Sequence, residues 1–221
     1  MEKTIVTVGA SAISLDALLS KLHMDSNHKF YGQIAAIYND AMKIVKPVAL
    51  YTPLVPEIRD GKVLLNGVEL NEPFVYKMLS GSEVVVPYAA TCGQEIDEWS
   101  QSFTDMFKMF TADTLKEVCL DAVRTKMKSE IQETYFDQSK CLSTINPGSL
   151  NDWPITGQVP LFKILGGVTD DIGVVLKESM MMAPTKSVSG IAFQTDSPYH
   201  NCQLCPRADC IGRKAPYEGD H

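Results

Sequence analysis

No stretch of this 221-residue chain approaches the roughly 20 consecutive apolar residues that a membrane-spanning helix needs, so no helical membrane span is expected. Positive charge is also short. Twenty Lys and Arg stand against 27 Asp and Glu, a formal net charge of −7, whereas non-specific nucleic-acid binding needs a basic surface to neutralise phosphates. The sequence has no Gly-rich phosphate loop, no nucleophile elbow and no His-x-x-x-His pair, which removes the common signatures of nucleotide, ester and zinc hydrolysis. Histidine is sparse, and His23, His28 and His221 stand isolated, as surface or terminal histidines do. Internal repeats and low-complexity linkers are missing. The N-terminal apolar run is broken by Gly9, Ser11 and Ser14, with Glu2 and Asp16 close by, so no signal peptide is expected and a cytoplasmic location follows.

What is present is ordinary globular material: 45% hydrophobic and 21% charged residues, enough for one domain with a modest extension. Over residues 29–46, Phe30, Ile34, Ile37, Ala41 and Val45 recur at helical spacing and predict an amphipathic helix. Residues 48–55 read as a strand. The dipeptides Asp60-Gly61 and Asn66-Gly67 flank another, short strand. The β-branched run 82–91 predicts a central strand. Two helices follow, over 94–103 and from about 112 to 135, with Leu115, Val118, Cys119 and Ala122 on the apolar face of the second. After the break at Asn146-Pro147-Gly148, residues 152–165 predict a short helix. Residues 172–179 and 186–193 predict two strands of an antiparallel hairpin, joined through Met180, Met181 and Met182. Paired helices between strands predict an α+β fold with an antiparallel or mixed sheet.

The hairpin region carries a resemblance. Ile172-Gly173, Leu176, Glu178-Ser179, Met182, Pro184 and Ser187-Val188-Ser189-Gly190 match, in order and without gaps, the pattern I-G-x-x-L-x-E-S-x-x-M-x-P-x-x-S-V-S-G. That pattern resembles the activation domain of cobalamin-dependent methionine synthase. Pro147-Gly148 is similar to the family's P-G-Y turn, and Asp196-Ser197-Pro198-Tyr199-His200 to its D-S-x-Y-F ending. The likeness spans most of residues 30 to 200. It divides the chain into an activation-domain-like unit over 1–200, with 1–28 as an N-terminal extension, and a cysteine-rich tail over 201–221.

The resemblance implies a protein that binds S-adenosylmethionine and presents it to the cobalt of a cobalamin, with a reductase supplying the electron. Its ligand residues carry over to Pro147 and Gly148 in the turn, Asp121 on the long helix, and Tyr199 with His200 at the end. Asp121 also sits three residues before Arg124, the spacing of an ordinary helical ion pair. Two positions depart from the family pattern. Its arginine four residues before the glycine is Thr144 here, and its tyrosine after the glycine is Ser149. An arginine there would pair with the ligand's carboxylate through a charge-assisted fork, so its loss should weaken binding.

Cys202, Cys205 and Cys210 form C-x2-C-x4-C in a segment without periodicity, where Pro206 and Gly212 suit a ligand loop. A fourth ligand could be Cys92, Cys141 or His200. An iron–sulfur cluster suits the reductive task that the resemblance implies; zinc, free thiols and a redox disulfide are the other readings. Cys119 belongs to the core side of its helix, as an inert thiol would. Glu178 at a strand end reads equally as a structural or a functional carboxylate, and the three consecutive methionines read as an apolar connection. The expected function is an accessory protein for reductive activation of a corrinoid methyltransferase or methionine synthase, docking on a corrinoid-binding partner. Two alternatives are a non-catalytic, zinc-stapled binding module and a component that takes part in methyl transfer itself.

Overall fold

Strand-forming residues crowd the run that ends at Thr91, and that run lies in the middle of the main sheet. The computed structural model describes residues 2–207, 209–210 and 213–219; Gly212 and His221 lie outside the described residues. In chain order the strands are β1 (Thr4–Thr7), β2 (Val48–Tyr51), β3 (Glu57–Arg59), β4 (Lys62–Leu65), β5 (Val68–Leu70), β6 (Val86–Thr91), β7 (Cys141–Ile145), β8 (Val175–Leu176), β9 (Met182–Ala183) and β10 (Ser187–Thr195). The helices are α1 (Leu15–Lys21), α2 (Tyr31–Ala41), α3 (Pro73–Leu79), α4 (Gln94–Ser100), α5 (Met106–Tyr135), α6 (Gln158–Leu165) and α7 (Val168–Ile172). The main sheet has the order β1-β2-β6-β10-β7, antiparallel at every pairing.

Alternation along these strands makes two cores. Val86, Tyr88 and Ala90 of β6 point to one, and Val85 and Ala89 to the other. The first core is closed by α1, α2, α4 and α5. The second is closed by α3, α6, α7 and the three-stranded meander β3-β4-β5. β6 is buried at every position, as a central strand covered on both faces must be. The α+β reading with an antiparallel sheet therefore describes the architecture.

Local chemistry sets the helix starts. Ser14 caps α1, its Oγ accepting the N–H groups of Asp16 at 3.1 Å and Ala17 at 3.4 Å. The long helix starts at Met106, six residues before the expected Ala112, because Asp105 caps it and accepts the Lys108 N–H at 2.9 Å. Residues 4–22 build edge strand β1 and helix α1, and Leu18 is fully buried in the first core.

The expected hairpin of 172–179 with 186–193 does not form. The two-residue β8 pairs instead with β9, Val175 opposite Ala183 and Leu176 opposite Met182. β10 cannot take 172–179 as a partner because both its edges are occupied, by β6 on one side and β7 on the other. The glycine of the S-V-S-G motif has a steric reason. The Asn146 amide and the Tyr88 hydroxyl approach Gly190 so closely that any side chain there would collide with both.

Candidate functional site: the Pro-Gly turn and the tail that covers it

The edge strand β7 ends at Ile145, and the chain reverses through Asn146, Pro147 and Gly148. Gly148 has φ 80°, donates its N–H to Trp153 O at 2.7 Å, and a Cβ there would lie 2.6 Å from Ile155 Cδ1. Asn146 fixes the start of the turn: its Nδ2 donates to Tyr88 Oη at 2.9 Å and to Ser189 O at 2.7 Å. Tyr88 is fully buried, and burial pushes its phenol above the usual range.

Beside this turn lies a groove of about 700 Å³, within the size range of small-ligand sites. Its walls come from three places: Phe74 and Met78 of α3, Gly148 to Asp152 of the turn, and Leu204, Cys205 and Tyr217 of the C-terminal tail. The expected turn residue Gly148 and the expected thiol Cys205 thus meet in one groove. Tyr199 stands behind it. Its ring packs against Phe193 at 6.5 Å between centroids, and its N–H donates to Ser143 Oγ at 3.2 Å. Its hydroxyl is buried without a hydrogen-bond partner among the described residues. Burial, and after it the charges of Asp152 and Cys202, push the phenol up to about 12, so it stays a neutral donor.

His200 is exposed, its N–H donating to Gln203 Oε1 at 2.7 Å. Asp121 does not join the groove. It sits on α5, across the main sheet, where its carboxylate pairs with Lys21 at 3.0 Å and Arg124 at 3.4 Å. The helical ion pair is the reading of Asp121 that the geometry supports.

The cysteines divide into two groups. Cys92 and Cys119 are buried in the first core; burial pushes the Cys92 thiol up to about 12 and the Cys119 thiol higher still, so both are inert. Cys202 and Cys205 are half-buried and Cys210 is exposed. Among the described residues, no three His, Cys, Asp or Glu side chains come together as metal ligands. What gathers the tail is Arg213, a residue that the sequence reading missed. Its Nη1 donates to Cys202 O at 2.9 Å and Ala215 O at 3.1 Å, its Nη2 to Cys205 O at 2.9 Å and Arg207 O at 2.6 Å. A guanidinium has the fixed fork that such carbonyls require.

A second missed group borders the turn. Arg124 lies close enough to the Tyr88 phenol to act on it electrostatically, and Lys128 follows one helical turn later. Burial first, then Arg124 and Lys214, push the Lys128 amine down to about 8. The signal was available in sequence: neither Thr125 and Ile131 nor Arg124 and Gln132, the residues three and four positions away, gives Lys128 an acid partner. No helix among the described residues is long and apolar enough to cross a membrane.

No family model matches the chain, and no curated protein matches it. Among solved structures it is similar to the crystal structure of the MetH reactivation domain bound to AdoHcy. The TM-score is 0.65 at 14% identity, over 90% of this chain and 81% of that one. The chain therefore has the fold of the methionine synthase reactivation domain.

Proposed function

We propose that this protein is an accessory for reductive activation of a corrinoid methyltransferase or methionine synthase, holding S-adenosylmethionine against the Pro147-Gly148 turn while docked on a corrinoid-bearing partner. The observation that carries the reading is the groove beside that turn, found in a chain whose fold is shared with a domain solved with AdoHcy. Its parts suit an adenosyl sulfonium. Phe74, Met78, Leu150 and Leu204 offer apolar surface for a purine, and the Asp152 carboxylate offers the charge that a sulfonium requires. A corrinoid carried by the partner would supply the cobalt chemistry, taking its electron from an external reductant and the methyl group from the sulfonium, with S-adenosylhomocysteine left behind in the groove. The chain's own residues bind, orient and exclude water; none is asked to move a proton.

Calorimetric titration with S-adenosylmethionine tests the site. Binding tighter than about millimolar is expected; weaker binding removes the donor role, because a complex worth less than about 4 kcal/mol would scarcely form at cellular concentrations.

A second reading concerns the tail. The Lys214 N–H donates to Cys202 Sγ at 3.4 Å, a bond of the kind that stabilises metal-bound thiolates, and this favours an iron–sulfur cluster or zinc on Cys202, Cys205 and Cys210. As arranged here the three thiols do not fit a metal, and the tail would have to close around Arg213 to collect them. Anaerobically purified protein then contains stoichiometric iron with acid-labile sulfide, or zinc; a metal-free sample with full fold removes this reading and leaves Arg213 as what holds the tail.

A further inference from the structure

The groove beside the turn is not apolar throughout. Phe74, Lys77 and Met78 all line it from α3, and their spacing of i, i+3 and i+4 puts them on one face of that helix. Val75 and Leu79 of the same helix are fully buried in the second core, so α3 gives one face to the core and the next to the groove. Among the described residues that line the groove, Lys77 is the one cation and Asp152 the one anion. They come from different walls, Lys77 from α3 and Asp152 from the segment that follows the Pro147-Gly148 turn.

One positive and one negative group in a largely apolar groove discriminate among ligands by charge. A polyanion such as a nucleoside triphosphate meets a single lysine and is repelled by Asp152. A neutral nucleoside leaves both charges unused. A ligand that carries a carboxylate and a cation on an apolar, aromatic body uses both at once. An adenosyl amino acid is such a ligand, with its carboxylate toward the lysine and its sulfonium toward Asp152. The turn itself brings no cation for that carboxylate, since position 144 is threonine and position 149 is serine.

We propose that Lys77 determines the specificity of the groove: its ammonium receives the α-carboxylate of the bound ligand, so the site prefers adenosyl amino acids to their decarboxylated counterparts. The inference rests on the reading that S-adenosylmethionine binds beside the Pro147-Gly148 turn, and it supplies from α3 the cation that Thr144 does not provide. A lysine is a point charge on a flexible stem, so the contact is weaker and less directional than a guanidinium fork. Its exposure limits the gain to the upper range of a surface ion pair. A lysine in the last turn of a helix also suits the helix dipole, but that role creates no preference between ligands with and without a carboxylate.

The test is calorimetric titration of the full chain with S-adenosylmethionine and with decarboxylated S-adenosylmethionine, which differ in the carboxylate alone. The wild type prefers S-adenosylmethionine by about fivefold. Lys77→Gln brings the two affinities within about twofold of each other, Lys77→Glu reverses the preference, and Lys77→Arg keeps it. Lys126→Gln, on α5 across the main sheet, also keeps it, which separates a contact in the groove from an effect of net charge. Should Lys77→Glu fail to fold, the Gln and Arg variants of this exposed position still decide. Equal binding of the two probes by the wild type, a preference that survives in Lys77→Gln, or one lost in Lys126→Gln overturns this inference and leaves the donor reading standing. Failure of the wild type to bind either probe overturns both.

Discussion

At the scale of single residues, Lys128 shows what a partly buried cation costs the fold. Its ordinary value is 10.5 and in the folded chain the amine is down to about 8, so between those values the unfolded chain binds the extra proton. Stability contributed by this group therefore rises as pH climbs from about 8 toward 10.5, and below 8 the full cost of burying the cation is present. Lys128→Met is expected to stabilise the ligand-free protein at pH 7 by about 1 kcal/mol, roughly 2–4 °C in thermal midpoint, with partial exposure screening any larger gain. The gain should shrink as pH rises from about 8 and vanish only above 10.5, where the wild-type amine becomes neutral in both states. Thermal melts at pH 7 and above pH 10.5 check it; an unchanged midpoint at pH 7 contradicts the cost assigned to burying this cation.

Residues such as Pro147 and Gly148 were legible in sequence because turn chemistry is local: a dipeptide carries its own φ requirement. Lys128 was legible only as a missing acid. Tyr88 and Asn146 were not legible at all, since what they do depends on β6, β7 and β10 lying side by side, which no local pattern encodes.

At the scale of elements, the periodic segments were read correctly and the connections were not. α2 lies inside the expected 29–46 stretch, and β6 lies inside 82–91, because amphipathic and β-branched patterns survive packing. The hairpin failed for a topological reason. Period-2 apolarity in 172–179 and 186–193 says that both segments are half-buried, but not which strand is adjacent to which. The tail is the other case. It has no periodicity, and its cysteines suggested that a metal holds it. The described structure holds it through Arg213 to four carbonyls and through Leu204 and Cys205 against the second core.

At the scale of the whole molecule, one antiparallel sheet separates two cores. Its edge strand β7 delivers a turn, and α3 with the tail encloses a groove beside it. The fold was readable from the ungapped Ile172 to Gly190 pattern, even though the strands there pair differently from expectation.

The most direct test is optical. A corrinoid protein loaded with cob(II)alamin is mixed under anaerobic conditions with a low-potential reductant and S-adenosylmethionine, with and without this chain, and the cobalamin spectrum is followed. An accessory activator should speed conversion to methylcobalamin and require all three components. Conversion no faster than with reductant and S-adenosylmethionine alone would contradict the account.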